Sequence, residues 1–235
     1  MHVGAFIEEM EQLAPPGLAE DFDAGKIGLV VEGREEIVRV CCALEATPIV
    51  VKKAVEASAD MLVVHHTPLW TPITAMKGRT ATLMRALLSA EMNLYVMHTN
   101  FDNAREGVND ALAELLSLTE VSRLSHGCIG TCTISPAEIS KRLGGTIRLW
   151  GKIKKIRRLA LVAGSGFDPA FIEEARALGA DAFLSAEMKH SVARSTPLPC
   201  LEAMHYALEA PAMQRLATRM GWQYIDDSPV QQIVP

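Results

Sequence analysis

The first half of the chain alternates between short apolar runs and segments whose apolar residues recur at helical spacing. Residues 4–13 have this spacing and are followed by Pro15 and Pro16, which predicts a first helix that ends before the prolines. Thr47 can cap a later helix, with Pro48 in its first turn. The other predicted elements are, in order, the strands IGLVVEG, VRVCCALEA and MLVVHH, a helix around residues 81–91, the strand NLYVMH and the helix GVNDALAELLSL. This alternation predicts an α/β fold with a largely parallel sheet that is covered on both faces.

The second half begins less regularly and then resumes the same alternation. The stretch VSRLSHGCIGTC has no clear period, whereas Ser135 and Glu138 match a capping box and predict a helix in SPAEISKRLGG. The later predicted elements are the strand IRRLALVAG, the helix AFIEEARALG, the strands DAFLSAE and PCLEAMH, and a last helix near residues 211–220. We therefore predict two α/β lobes, residues 1–120 and residues 121–235, that together form one compact unit.

The two halves also resemble each other in the order of their motifs. ALEATPIVVKKAVEASADMLVVHH and VAGSGFDPAFIEEARALGADAFLSAE each run from a loop through a helix and Ala-Asp into a strand. YVMHTNFD and LEAMHYALE each contain Met-His with an acid four residues after the histidine. Two related α/β units explain this pattern, and chance recurrence in two βαβ segments is the alternative.

Histidines and carboxylates are concentrated where the predicted strands end. These side chains are His65, His66, His98, Asp102, His205 and Glu209. Ligands of α/β proteins bind outside the carboxyl ends of strands, so the pattern indicates a metal-ligand set. Nitrogen and oxygen donors without thiolates suit zinc, iron, manganese, nickel or cobalt, and the surplus over one tetrahedral ion favours two ions. For His65 and His66 taken alone, a hydrogen-bonded pair at a strand end is an equally good interpretation.

Composition and charge narrow the classes of function. A net charge of −5 gives no general attraction for nucleic acid, and the basic cluster in GKIKKIRRL is interpreted as a solvated turn and strand entry rather than an anion patch. The apolar runs are too short to cross a bilayer, and the acidic N-terminal segment is unlike a secretory signal. Five cysteines without C-x-x-C spacing indicate neither a disulfide framework nor a zinc ribbon. We expect a cytoplasmic protein with no membrane partner, for which nucleic acid is a weak third hypothesis.

Two further motifs bear on enzymatic chemistry. GSGFDP lies between a predicted strand and a predicted helix, and we favour a tight turn there over an anion site, because the Gly-x-Gly-x-x-Gly pattern and the Walker lysine are missing. The sequence also has no Gly-x-Ser-x-Gly motif, so a serine hydrolase is unsupported.

The motifs VVHHTPLW, HTNFDNAREGVNDALAELL, GADAFLSAEMKHS and HYALE, preceded by APPGLAEDFD and CCALEATP, resemble the GTP cyclohydrolase 1 type 2 homologue family. This family is also called the NGG-interacting-factor-three-like family, and the likeness covers nearly the whole chain in the same order. The resemblance implies two related α/β lobes with mixed sheets packed together, a dinuclear metal site in the cleft between them, and a ring-shaped homohexamer.

The family's residues can be carried over onto matching positions. The implied metal ligands are His65, His66, Asp102, His205 and Glu209, with Glu209 as the bridge. The residues expected beside the site or lining the cleft are His98, Glu187, Lys189 and His190. FDAGKIG and Ser185-Ala186-Glu187 depart from the family's usual Trp-Asp-Asn-x-Gly and Thr-Gly-acid, which leaves the cleft lining and the substrate open.

Two functions of different kinds follow from this ligand set. The first is a metal-dependent hydrolase with two divalent ions per chain and a small-molecule substrate, in which Glu187 or His98 could act as acid or base and no catalytic side chain is assigned. The second is a non-enzymatic metal-binding or regulatory scaffold, which needs no open coordination position.

Overall fold

Side-chain caps and prolines set the start of several helices in the computed structural model, which describes residues 1–232. The hydroxyl of Thr47 accepts a hydrogen bond from the backbone N–H of Val50 at 3.1 Å. Ser135 and Asp168 cap later helices in the same way, and each is followed by a proline. The α-helices are α1 (Val3–Leu13), α2 (Pro48–Glu56), α3 (Gly78–Ser89), α4 (Thr99–Asn103), α5 (Val108–Leu115), α6 (Pro136–Arg142), α7 (Pro169–Ala177), α8 (His190–Ser195) and α9 (His205–Met220). Short 3-10 helices cover Pro16–Leu18 and Asp21–Asp23.

The strands form two mixed sheets. The five-stranded sheet contains β1 (Gly28–Val31), β2 (Val40–Glu45), β3 (Met61–His66), β4 (Asn93–Val96) and β11 (Gln223–Tyr224), in the order β1-β4-β3-β2-β11. The six-stranded sheet contains β5 (Thr119–Arg123), β6 (Cys128–Ile134), β7 (Arg148–Trp150), β8 (Ile156–Leu161), β9 (Ala182–Ser185) and β10 (Cys200–Glu202), in the order β5-β6-β8-β9-β10-β7. The predicted α/β class with mixed sheets is confirmed.

The described chain divides into two units. Unit 1 contains residues 1–105 and the described residues from 213 onward, and unit 2 contains residues 106–212. The strand β11 belongs to the sheet of unit 1 although it lies near the end of the chain. The division into lobes at residue 120 stays a prediction. Among residues 1–232, no helix combines the length and apolar character that a bilayer crossing requires.

Each unit has its own apolar core against its sheet. In unit 1, Leu62 and Leu94 of the central strands are fully buried and pack with side chains of α2 and α3. In unit 2, Ala160 of β8 and Phe183 of β9 are fully buried, and Ile172 of α7 belongs to the same apolar cluster. Continuous buried strands of this kind are typical of parallel sheets, which explains why the apolar runs MLVVHH and DAFLSAE did not alternate.

The same four-strand arrangement occurs in both sheets. In unit 1, β2, β3 and β4 are parallel neighbours and β1 is antiparallel to β4. In unit 2, β8, β9 and β10 are parallel neighbours and β7 is antiparallel to β10. The Ala-Asp pair before the middle parallel strand also recurs in both units. One carboxylate oxygen of Asp60, before β3, accepts hydrogen bonds from the backbone N–H groups of Val38 and Arg39. One carboxylate oxygen of Asp181, before β9, accepts them from the backbone N–H groups of Arg157 and Arg158. The internal repeat in the sequence therefore corresponds to two related α/β units.

Replacing Asp60 by asparagine should lower the stability of the fold by about 2 kcal/mol at neutral pH, because the buried side chain would lose its charge and its amide NH₂ would face either a backbone N–H or the Arg34 guanidinium, all of which are donors. Burial raises the pKa of Asp60, but hydrogen bonds from Arg39, Val38 and Arg34 lower it more, so the net pKa lies below its usual value. A lowered carboxyl pKa contributes stability above the unfolded value of about 4, and this contribution is lost as the pH falls through the folded value. Urea unfolding at pH 7 and below pH 4 measures both effects: the wild type loses stability on acidification, and Asp60→Asn loses less.

Asp181→Asn is the matched control for this prediction. Asp181 accepts the equivalent two backbone bonds at 2.8 and 3.0 Å, but it is less buried, and no arginine side chain among residues 1–232 bonds its carboxylate. We expect a smaller loss, about 1 kcal/mol. Equal losses in the two variants would contradict the view that burial and Arg34 make Asp60 the more important of the pair.

Two sequence-based expectations need correction. The stretch VSRLSHGCIGTC, which has no clear period, forms the antiparallel pair β5 and β6. Every residue of β5 is exposed, so burial imposes no alternation on its sequence. The last helix begins at His205 rather than near Pro211, and Pro211 lies inside it, one turn and a half from its start. As the seventh residue of the helix, Pro211 cannot donate the bond to the carbonyl of Ala207, so α9 forms without that one backbone hydrogen bond.

Candidate metal centre

Two adjacent histidines end strand β3 in unit 1. His65 is fully buried, whereas His66 is partly exposed, and their ring centroids lie 4.9 Å apart. Adjacent residues in a regular strand point to opposite faces, so this closeness is possible only because the strand stops at His66. The chain then turns through Thr67 and Pro68, as the sequence predicts.

The segment after β4 brings a third imidazole and a carboxylate to the same place. His98 precedes α4, and its ring centroid lies 5.1 Å from that of His65 and 5.6 Å from that of His66. One ring nitrogen from each of the three histidines lies within 4.8 Å of the other two. Asp102, in α4, places a carboxylate oxygen 3.5 Å from Nε2 of His65. These side chains of unit 1 could hold a metal ion.

The outer nitrogen of each of the three clustered imidazoles, His65, His66 and His98, is bonded to an oxygen. Nδ1 of His65 donates to the carbonyl of Met97 at 2.7 Å, because a carbonyl can only accept. Nδ1 of His66 lies 3.1 Å from a carboxylate oxygen of Glu45. Nδ1 of His98 lies 2.8 Å from a carboxylate oxygen of Asp23. Oxygen partners at Nδ1 place the proton there and the lone pair on Nε2, which is the arrangement that metal-ligating histidines use.

Asp23 is a site residue whose role the sequence did not reveal. It is fully buried, and its carboxylate also accepts hydrogen bonds from the backbone N–H of Thr99 at 3.1 Å and from the Thr99 hydroxyl at 2.5 Å. Burial raises the pKa of Asp23, but the bonds from His98 and Thr99 lower it more, so the net pKa lies below its usual value. The ionised carboxylate therefore fixes the orientation of the His98 ring.

The candidate ligands of unit 2 lie on the first turns of α9. His205 and Glu209 are four residues apart on this helix, and Nε2 of His205 is 2.9 Å from a carboxylate oxygen of Glu209. Glu209 is buried, which is unusual for a carboxylate in a protein core. Nδ1 of His205 lies 2.7 Å from an oxygen of Glu187, so this imidazole has the same kind of outer partner as those of unit 1. The pair in unit 2 is also a set of metal-type donors.

A glycine makes room for the Glu209 carboxylate. Gly164 follows strand β8 with a φ of +70°, and a Cβ atom there would lie 2.3 Å from Oε1 of Glu209 and 3.3 Å from Nε2 of His205. Ser185 holds this loop, because its hydroxyl donates to the carbonyl of Gly164 and accepts from the N–H of Gly166, each at 2.8 Å. These bonds favour the tight-turn interpretation of GSGFDP. The turn also places Gly164 beside Glu209, where only a residue without a Cβ atom fits.

The remaining predicted residues of unit 2 differ in their placement. Glu187 has a φ of +63°, a conformation that directs the loop after β9 toward His205. Lys189 caps α8 and His190 begins it, and both side chains are exposed. Glu187 thus supports a candidate ligand directly, whereas the roles of Lys189 and His190 in lining the site stay predictions.

Replacing Glu187 by alanine is expected to weaken metal binding by about tenfold, because outer partners of ligating histidines typically contribute about 10–100-fold to affinity and Glu187 is exposed. Competition with a chelator of known affinity measures the change. Glu173→Ala is the matched control, since Glu173 is a similarly exposed carboxylate of unit 2 that pairs with Arg176 instead. An unchanged affinity in Glu187→Ala would contradict a supporting role for this residue.

The donor types agree with the expected metals. The candidate ligands are imidazole nitrogens and carboxylate oxygens, and within residues 1–232 the free cysteines take no part in these clusters. Such donors suit zinc, iron, manganese, nickel and cobalt, which are the metals indicated by the sequence. The residues present therefore fit a divalent metal, and the space left by Gly164 allows the Glu209 carboxylate to lie beside His205.

Comparison with known families finds a match over nearly the whole chain. The family model of Duf34/NIF3 (NGG1p interacting factor 3) matches residues 1–233. A protein of Streptomyces coelicolor named GTP cyclohydrolase 1 type 2 homolog is 34% identical, over 92% of this chain and 87% of its own length. A protein of Methanocaldococcus jannaschii with the same name is 31% identical, over 92% of this chain and 93% of its own.

Solved structures have the same fold. Reduced HcgD from Methanocaldococcus jannaschii superposes with a TM-score of 0.82 at 28% identity, covering 95% of this chain and 96% of that one. The protein TTHA1606 from Thermus thermophilus superposes with a TM-score of 0.81 at 26% identity, covering 99% of this chain and 100% of that one. The protein ybgI, described as of unknown function, reaches a TM-score of 0.87 at 24% identity and so shows the fold alone.

Proposed function

The chain belongs to the Duf34/NIF3 family, and on that premise we propose that it is a dinuclear metal protein that hydrolyses a small-molecule substrate. The observation that carries the proposal is the common arrangement of the four candidate histidines. The Nδ1 atoms of His65, His66, His98 and His205 all bond an oxygen. Histidines in ordinary surface or core positions have no reason to share one tautomer, whereas metal binding through Nε2 requires it.

The count of donors supports two ions shared by the ligands of both units. Unit 1 supplies His65, His66 and Asp102, and unit 2 supplies His205 and Glu209. A catalytic ion usually takes three protein ligands, so neither set alone is sufficient for two ions. We propose that the two sets act on the same pair of ions and that Glu209 bridges them.

The protein's own side chains would bind the metal ions and orient the substrate or a water molecule beside them. Bound divalent ions supply Lewis-acid chemistry, which polarises a substrate oxygen and acidifies water. His65, His66, Asp102, His205 and Glu209 would hold the ions. Asp23 holds the His98 ring in place beside these ligands, so the Nε2 atom of His98 is available to hydrogen-bond a substrate or a water molecule. No separate side-chain nucleophile is required.

The relatives' shared name supports a hydrolytic reaction but does not define the substrate. Proteins named GTP cyclohydrolase 1 type 2 homolog are similar over most of this chain. Among the residues 1–232 described by the structure, we identify no side chains that would read a guanine base. We therefore adopt metal-dependent hydrolysis as the proposed reaction and leave GTP as one substrate to be tried.

The test compares the metal-free protein with protein reconstituted with each candidate ion. A panel of phosphate esters, cyclic amides and GTP is incubated with both forms. Hydrolysis that needs the ion and disappears with a chelator would support the proposal. A protein that binds two ions tightly but hydrolyses none of the panel would favour the alternative, a metal-binding or regulatory scaffold.

We also propose a ring-shaped homohexamer in the cytoplasm. Membership of the family supports the hexamer, and five free cysteines, four of them buried, suit a reducing compartment. Light scattering coupled to size exclusion measures the assembly. A monomer or dimer at micromolar concentration would contradict the hexamer without affecting the proposed metal ligands.

A further inference from the structure

Two exposed aromatic side chains of unit 1 lie against His98, which neighbours the candidate metal ligands His65 and His66. Phe22 is 56% exposed and Trp70 is 44% exposed, and they are the two most exposed aromatic side chains of the described chain. Phe22 lies in the short helix Asp21–Asp23, and Trp70 lies in the loop that follows β3. We call Phe22 and Trp70 the aromatic pair.

Both members of the aromatic pair contact the same imidazole. The ring centroid of Trp70 lies 5.1 Å from that of His98, at an interplanar angle of 80°. The ring centroid of Phe22 lies 6.1 Å from that of His98, at 65°. The other ring neighbours of His98 are His65 and His66, so the aromatic pair is separated from the candidate ligands by one side chain. A small molecule bound at the metals would reach the aromatic pair.

Lys26 holds the two parts of the aromatic pair together. Its ammonium group donates a hydrogen bond to the backbone carbonyl of Phe22 at 2.5 Å. The same Nζ atom lies 5.5 Å from the centre of the Trp70 ring, within the range of a cation–π contact. One lysine therefore contacts the backbone of Phe22 and the ring of Trp70, which links the two segments that carry the aromatic pair.

The exposed surface of the aromatic pair could contribute free energy to ligand binding. An aromatic ring is stabilised by burial of its area and, in addition, by contact with another flat ring, and the exposed part of a ring has neither contribution until a ligand covers it. The loop that carries Trp70 also contains Ile73 and Met76, which are 40% and 55% exposed. Exposed apolar surface beside polar ligands is typical of a binding site for a molecule with one flat apolar end and one polar end.

On the basis of the proposed function, we propose that the aromatic pair is a subsite for a planar aromatic ring of the substrate, whose oxygen-bearing group lies at the metals. Phe22 and Trp70 would select substrates with such a ring, and Lys26 acts as a positioning residue for the pair. This assigns Phe22 and Trp70 to the substrate rather than to the metal.

The test uses two phosphonates that the protein cannot hydrolyse and that differ only in the ring. Calorimetry measures the binding of phenylphosphonate and methylphosphonate to the zinc-loaded, full-length protein. We expect phenylphosphonate to bind about tenfold more tightly, the gain typical of one or two aromatic contacts. Trp70→Ala and Phe22→Ala should each reduce the ratio of the two affinities toward one and leave the affinity for methylphosphonate unchanged. Trp70→Phe should keep part of the preference for phenylphosphonate that Trp70→Ala loses.

Leu88→Ala is the matched control, because Leu88 of α3 is an apolar residue of unit 1 that is 55% exposed and has no part in the aromatic pair or its loop. It should leave both affinities unchanged. Equal affinities of the wild type for the two phosphonates, an unchanged ratio in both alanine variants, or no measurable binding of either compound would overturn the proposal. The zinc content of each protein is measured separately, so a protein that keeps its metal but shows no preference for the ring refutes the subsite and leaves the proposed metal protein standing.

Discussion

His65→Ala is expected to reduce metal-dependent hydrolysis by at least about a hundredfold, because even the outer partners of metal ligands contribute about 10–100-fold. His65 is fully buried at the end of β3, and the carbonyl of Met97 fixes its ring. No other imidazole can replace it, since His66 and His98 are held by their own partners, Glu45 and Asp23. The measurements are initial hydrolysis rates at saturating substrate and the metal content of the purified variant.

The control for this variant is His2→Asn. His2 is exposed before α1, where its ring accepts a hydrogen bond from the backbone N–H of Gly4 that an asparagine can also accept, so this change should affect neither metal content nor rate. Because truncating a buried side chain can also destabilise the fold, His66→Ala serves as a second variant at a partly exposed candidate ligand. Full hydrolysis in a folded His65→Ala protein would mean that another site, or another protein in the sample, performs the reaction.

Gly164→Ala is expected to cause the second large effect, a loss of metal binding of about tenfold or more. The new methyl group would lie 2.3 Å from Oε1 of Glu209, so the carboxylate must leave its observed position. The φ of +70° adds backbone strain of about 1–2 kcal/mol for a residue with a Cβ. Metal titration and urea unfolding measure the two consequences separately.

Gly179→Ala separates strain from collision. Gly179 also has a positive φ, +80°, but a Cβ there would meet nothing within 4 Å. We expect strain to lower the stability of both variants, the collision to make the loss larger in Gly164→Ala, and metal affinity to fall in Gly164→Ala alone. Normal metal affinity in Gly164→Ala would show that the position of the Glu209 carboxylate does not matter for binding.

Local signals in the sequence were sufficient for most of the elements. Thr47 with Pro48, and Ser135 with Pro136, start helices where the capping rules predict, because these bonds involve residues a few positions apart. The buried strands MLVVHH and DAFLSAE were recognisable because parallel strands covered on both faces are continuously apolar. The hairpin of β5 and β6 was missed, since an exposed strand has no pattern to recognise.

The candidate site was predictable only in part, for a related reason. Histidines and acids at strand ends, and the four-residue spacing of His205 and Glu209, can be read along the chain. The residues that support these side chains cannot be identified along the chain, because they come from distant segments. Asp23 bonds the ring of His98, and Gly164 leaves room for the carboxylate of Glu209. The exposure of Phe22 and Trp70 likewise depends on packing and has no signal in the local sequence.

The related units give a physical reason for the repeated Met-His. His98 follows β4 and His205 follows β10, and these are the third parallel strands of equivalent four-strand arrangements. The carboxyl ends of such strands meet at one edge of a sheet, where side chains converge. The two units use the position differently, since His205 pairs with Glu209 on its own helix and His98 is bonded to Asp23.

The central claim is that this chain binds two divalent metal ions through these histidines and carboxylates. Its most direct test is elemental analysis by mass spectrometry of the purified protein, and of metal-free protein reconstituted at neutral pH and freed of excess ion. We expect two ions per chain, and fewer in His65→Ala and Gly164→Ala. No bound metal in the wild type, before or after reconstitution, would contradict the account.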